Sequence, residues 1–307
     1  MLRQFGCDCG RCVAPGRVAN TSASLLTLNE VGEVVHHILI DVGLGVVDSL
    51  RDLPALAGRR ARLDWLLLTH WHPDHTLEMN HLLVSYQLNM RRRGQAWQPV
   101  PLWCRAGSLE WLAKEHSFDL TLTRPESSAE FLPPGRLLPP VPIGLAGLTI
   151  TPFTVSHFGG DRAVGNRQEV RYSCGCFVVE AAGRKMVLLW DIDSENDWLL
   201  RPGDADQAAT VQFLRGADHL FIDNAFWQPQ NKPTTHPSFH HVKQIAIALQ
   251  PQNSWLVHLS GHPDGPGRPA FGWTNDQWQT AAQTEWKNGG CPGRVWVPTI
   301  GQQLELS

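Results

Sequence analysis

Residues 64–75 constrain this chain more than any other stretch. An apolar run, Asp64-Trp65-Leu66-Leu67-Leu68-Thr69, gives way to His70-Trp71-His72-Pro73-Asp74-His75. The run is short and bounded by polar residues, so it reads as a buried strand. Four side chains able to hold a metal then fall within six residues. In an extended segment His70 and His72 point to the same side. Pro73 cannot continue a ladder and suits a turn, which swings Asp74 and His75 toward a second point. The spacing predicts two metals side by side at a strand exit. Burying four such groups without a ligand is costly.

Two metals need further donors. His157 follows the stretch 147–155, Asp191 follows 185–190, and His258 ends the run 254–258. Each stands where a buried strand gives way to a loop, which is where α/β folds place their sites. Strand signals at 22–28, 34–41, 64–69, 147–155, 171–180, 185–190, 218–222, 254–258 and 294–298 interleave with helical patterns. The helical patterns lie at about 75–90, 107–115, 238–249 and 275–287, the last with Thr274 as N-cap. This is an α/β pattern. The Pro/Gly-rich stretches 132–143 and 262–272 are surface connections, and there is no fixed-period repeat. One domain over 1–307 is expected.

Composition narrows the class. Of 307 residues, 42% are hydrophobic and 18% charged, which excludes disorder by composition. A net charge of −3 gives no global basic field for nucleic acid, and no basic exosite is evident. No signal peptide is visible. The uncharged window 137–155 carries Pro139, Pro140, Pro142 and Pro152, which a membrane-spanning helix would not tolerate easily. A soluble, cytoplasmic chain is expected. Cys7, Cys9 and Cys12 crowd three of seven cysteines into one knuckle, which reads as metal binding rather than a disulfide framework.

The His70–His75 signature, followed by a His, an Asp and a His at strand ends, resembles the metallo-β-lactamase superfamily. The resemblance spans nearly the whole chain. It implies an α/β fold, a four-layer αββα sandwich with metals at one edge between the sheets. It also implies that His70, His72 and His157 hold one metal, that Asp74, His75 and His258 hold the other, and that Asp191 bridges them. Imidazole and carboxylate donors suit zinc, with manganese or iron as alternatives. A hydroxide shared by the metals is the expected nucleophile. Asp191 disfavours β-lactam hydrolysis, and His72 disfavours the flavodiiron branch, which has Glu there.

Gly6-Cys7-Asp8-Cys9-Gly10-Arg11-Cys12 narrows the resemblance. It is similar to the branch holding the 5-phosphoribosyl 1,2-cyclic phosphate phosphodiesterase and the pyrroloquinoline quinone biosynthesis protein B. There the triplet and a distant His hold a structural zinc. The candidate fourth ligand here is His262, in a stretch one residue longer than the branch's His-x-x-His, with Cys174 or Cys176 as alternatives. Only six residues precede Cys7, where the branch has a glycine-rich strand, so a late start or a lost strand is expected. The long segment 158–170 carries Arg162 and Arg167, which could reach an anionic substrate from a lid, although a solvated loop is the ordinary reading. His236 resembles the branch's proton-donating, non-ligand His, with Asp223 placed to orient a neighbour. Asp74 and His236 are thus the expected catalytic residues.

The expected function is a dinuclear metal-dependent hydrolase, a phosphodiesterase on a small cyclic or nucleotide-like phosphate. A lactonase or other ester hydrolase, an iron-dependent oxidoreductase and a metal-stabilised binding protein are the alternatives. Expected partners are an anionic small molecule and, at most, a second copy of the chain, with no nucleic acid and no membrane. Trp71 could stack on a substrate ring. Trp190, Trp227 and Trp255 read as core, and His81 reads as packing.

Overall fold

Along three strands that lead into candidate site loops, burial rises toward the C-terminal end. Val34–Ile40 and Asn253–Val257 pass from half-buried to buried, and Arg184–Leu189 from exposed to buried. Loops that follow such strands therefore start from buried backbone, and their first polar side chains are held away from bulk water. The computed structural model describes residues 3–128, 132–157, 174–230, 234–259, 262 and 264–306. The predicted lid residues Arg162 and Arg167 lie outside the described residues.

The chain divides into two compact units, residues 17–131 and residues 1–16 with 132–307. The first holds a five-stranded sheet of β1 (Ala23–Leu28), β2 (Val34–Ile40), β3 (Trp65–Leu67), β4 (Val100–Arg105) and β5 (Thr123–Ser128), paired in that order. β1 and β2 form an antiparallel hairpin, and the remaining pairs are parallel. Helices Val46–Asp52, Met79–Arg92 and Ala106–Glu115 connect the parallel strands. Leu39, Leu66, Leu68, Leu83 and Leu102 anchor its core.

The second unit holds a six-stranded sheet in the order β11-β10-β9-β8-β7-β6. Its strands are β6 (Leu148–Thr154), β7 (Gly175–Ala181), β8 (Arg184–Leu189), β9 (His219–Asp223), β10 (Asn253–Val257) and β11 (Arg294–Trp296). β6, β7 and β8 run antiparallel, and β8 to β11 are parallel. Phe239, Val242 and Leu249 of helix Phe239–Leu249 pack in the same core as Val187, Leu220 and Leu256. Both sheets are mixed and flanked by helices, so the fold is α/β, as expected. Thr274 caps helix Asn275–Asn288 in a full capping box with Gln277.

Two strands were not legible. β4 and β5 contain Pro101 and Pro125, the strongest local signal against a strand. The ladder from β3 reaches only Leu102 and Trp103, so Pro101 needs no donor on that side. β5 is a sheet edge with exposed polar residues. Helices Val46–Asp52 and Ala205–Leu214 were also missed. His81, expected in packing, is exposed on helix Met79–Arg92. Among the described residues no helix is long and apolar enough to cross a membrane.

Candidate metal centre

In the first unit the donors come from one tight loop. Pro73 opens the short helix Pro73–Thr76, and His72 stands at its N-cap position. The His75 amide donates to the His72 carbonyl at 2.9 Å, and the Thr76 hydroxyl to the same carbonyl at 3.1 Å. The His70 and His72 rings lie 4.4 Å apart, and those of His70 and His75 4.3 Å apart. His70 and His75 are fully buried. Trp71 is stacked on Trp111 at 4.0 Å, so one of its faces is already covered.

A residue that the sequence reading passed over organises this loop. Asp41, just past β2, is buried and accepts from the Thr69 amide at 2.9 Å and the Thr69 hydroxyl at 2.8 Å. The Nδ1 of His75 lies 2.8 Å from the same carboxylate, which makes Nδ1 the donor and turns Nε2 toward Asp74, 3.6 Å away. With its hydrogen given to Asp41, the Thr69 hydroxyl accepts from His70 Nδ1 at 3.0 Å. One carboxylate thus sets the tautomer of two imidazoles, so that Nε2 of each is the atom suited to a metal. The loop is clamped further by Val42 donating to the His75 carbonyl at 2.8 Å. A Cβ on Gly43 would sit 1.8 Å from the Asp74 carbonyl oxygen, so only glycine fits there. The signal was present, an aspartate ending a strand before Gly-x-Gly.

In the second unit the donors come from separate strand ends. His157 follows β6, Asp191 follows β8 and His258 follows β10. Asp191 Oδ2 lies 3.4 Å from His258 Nε2 and 3.9 Å from His157 Nε2. Loops are laced together behind them. Asp193 accepts from the Ser156 hydroxyl at 2.8 Å, Asn196 from the Ser156 amide at 2.9 Å, and the Ser194 amide donates to the Thr234 carbonyl at 3.2 Å. His236 donates through Nδ1 to Asp223 at 2.7 Å, and its ring stacks on His258 at 4.4 Å. Burial pushes the Asp223 carboxyl above the ordinary carboxylate value, and the His236 and His258 rings work against that. His236 also has a ligand atom within 4.8 Å of those of His157 and Asp191. Asp41, Asp191 and His258 are three of six non-glycine residues with positive φ among those described, at 60°, 57° and 57°. Backbone strain of this kind gathers at functional sites.

A further group comprises Cys7, Cys9, Cys12 and His262. Cys7, Cys9 and Cys12 place their sulfurs 3.2, 3.3 and 3.5 Å from His262 Nε2. Cys174 and Cys176, the alternatives, are buried in the core of the second unit, and Cys176 faces the Trp190 carbonyl. The knuckle is fixed by Arg11, whose amide donates to the Gly272 carbonyl at 2.9 Å and whose guanidinium donates to the Trp273 and Leu259 carbonyls. Burial opposes ionisation of Cys9, yet the Cys12 amide and the neighbouring thiols bring its pKa below the ordinary thiol value.

The profile of the β-lactamase superfamily domain matches residues 36–259. The chain belongs to that superfamily. A PhnP-family diphosphatase of solved structure shares 18% identity with this superfamily member over 100% of this chain and 93% of its own, with a TM-score of 0.61. Zinc-bound PqqB from Methylobacterium extorquens shares 18% over 99% and 95%, with a TM-score of 0.62. The metallo-β-lactamase fold protein YhfI from Bacillus subtilis shares 16% over 95% and 93%, with a TM-score of 0.59. No protein with a curated description matches the sequence. The superfamily is thus as the motifs implied, and the three solved structures share its fold.

The donor sets of this superfamily member fit metals. Two ligands about 2.0–2.1 Å from a tetrahedral ion stand roughly 3.3 Å apart, and a thiolate and an imidazole on one zinc roughly 3.5 Å. The Asp191–His258 separation and the three sulfur–His262 separations match these values. The 3.4 Å between Asp191 and His258 exceeds an ordinary N–H···O bond.

Proposed function

We propose that the chain is a dinuclear metal-dependent phosphodiesterase acting on a small cyclic or nucleotide-like phosphate. Its metal ligands in this reading are His70, His72, Asp74, His75, His157, Asp191 and His258. Two divalent ions on them would supply a hydroxide nucleophile near neutral pH and offset charge on the phosphoryl oxygens. The observation that carries the phosphodiester reading is the His236–Asp223 dyad at 2.7 Å. An alkoxide leaving group needs a proton, and a His whose Nδ1 is engaged by a buried carboxylate presents Nε2 to deliver it. Asp223 holds the ring, fixes its tautomer and stabilises its protonated form. Asp191, through Oδ2, serves the His157 and His258 sides at once, which supports a bridging role. Cys7, Cys9, Cys12 and His262 hold a structural zinc remote from turnover in this reading.

Metal content of the purified protein, measured beside hydrolysis of bis(p-nitrophenyl) phosphate, tests the reading. About three zinc equivalents, two catalytic and one structural, are expected for full ligand sets of this kind. One iron with oxygen uptake and no hydrolysis overturns it.

A further inference from the structure

Two arginine runs that are far apart in sequence, Arg59-Arg60-Ala61-Arg62 and Arg91-Arg92-Arg93, meet in the first unit. Arg93 donates to the Ala61 carbonyl at 2.9 Å and Asn89 to the Gly58 carbonyl at 3.5 Å, which ties the second run to the first. They frame a cleft of about 510 Å³ whose lining includes Arg59, Arg60, Arg62 and Arg93. Its lining also includes Leu63, Tyr86, Met90, Val100 and two prolines. Among the described residues the carboxylates lining it are Glu33 and Asp64. Asp64 is taken up by Arg62 at 2.6 Å and by the His37 amide at 2.8 Å. Arg59 and Arg60 are exposed and make no side-chain hydrogen bond or ion pair with any described residue.

We propose that this cleft is a second ligand site, separate from the histidine loop, for a nucleoside polyphosphate. Unpaired guanidiniums present rigid forks that suit phosphate oxygens. A lone phosphate would leave most of the volume empty, whereas a nucleotide-sized ligand suits a pocket of some hundreds of cubic ångströms. In this reading the apolar part of the lining takes the base and sugar, and the arginines take the phosphates. The cleft opens at the start of β3, at Leu63 and Asp64, while His70 lies beyond its other end. β3 spans Trp65–Leu67, about 10 Å at the rise of a strand, so the cleft and the histidine loop stand at opposite ends of that strand.

Calorimetry with the methylene-bridged, non-hydrolysable analogue of ADP on the full-length protein tests the proposal. Binding is expected to persist in His72→Ala and to weaken at least tenfold in Arg59→Glu/Arg60→Glu. The double variant should keep wild-type hydrolysis of bis(p-nitrophenyl) phosphate, since both side chains are exposed and outside the metal ligands. Methylenediphosphonate, which lacks the nucleoside, should bind at least tenfold more weakly than the analogue. Equal binding of the two overturns the nucleoside assignment. Binding unchanged in the arginine variant but lost in His72→Ala places the analogue at the histidine loop and overturns the site. Absence of binding does the same, and a single-stranded oligonucleotide that binds where the analogue does not overturns the compact ligand.

Discussion

The two units follow one plan and furnish donors in opposite ways. Each sheet joins antiparallel strands to parallel ones, one antiparallel pair in the first and two in the second, and each presents polar side chains past the C-terminal ends of its strands. In the first unit four donors come from six consecutive residues, and a single carboxylate, Asp41, fixes the tautomers of His70 and His75. In the second unit three donors come from loops after β6, β8 and β10, and a lattice of side-chain bonds around Ser156, Asp193 and Asn196 holds the loops together. A compact loop concentrates its dependence on one partner, while a distributed set spreads it over several.

The largest effect should come from removing a donor from either unit. His72→Ala and His258→Ala are both expected to abolish hydrolysis of bis(p-nitrophenyl) phosphate and to lower bound metal. Turnover surviving in one of them would mean that one unit's donors suffice. Next, His236→Gln should cost about 10²–10⁴-fold on an alkyl phosphodiester. The same variant should cost far less on a p-nitrophenyl ester, whose leaving group needs no proton. Equal losses on both substrates would remove His236 from proton delivery. Asp41→Asn should cost about 10–100-fold in metal affinity, the usual toll for a partner that orients a ligand. Asp193→Asn, one strand of the lattice in the second unit, should cost less in the same metal titration. A reversal of that order breaks the contrast between concentrated and distributed support.

The smallest effect concerns pH. His37 is buried on β2, and burial lowers its pKa against the pull of the Arg62 carbonyl and Asp64. Its folded value lies below the unfolded value of about 6.5. The neutral ring therefore contributes its stability fully above that pH and loses it as pH falls through the folded value. His37→Gln should flatten the decline of the urea midpoint on the acid side. An unchanged slope would shift acid sensitivity to groups in the second unit, such as His219, which burial also lowers.

The same contrast explains what the sequence disclosed. The loop 70–75 was legible because its donors are contiguous, and strand-end positions gave His157, Asp191 and His258. Asp41 carried a cue in its place before Gly-x-Gly, but its role depends on β2 lying beside β3, a pairing that no local pattern encodes. His262 could be separated from Cys174 and Cys176 only by three-dimensional placement, since alternation in a strand allowed both cysteines. The arginine cleft was hidden for the same reason. A net charge of −3 averages over the chain and does not register two runs brought together by folding.

The cysteine knuckle has a mechanical consequence. Cys9 and His262 are 253 positions apart, and the whole of the first unit is threaded between them. An ion gripping both would act as a buckle on a belt. Closing a loop of that length removes about 5 kcal/mol of disorder from the unfolded chain by the same polymer argument that applies to a disulfide. Tension applied to the N-terminal end would load the buckle before it reached either sheet, so a chelator would change the order in which the chain comes apart.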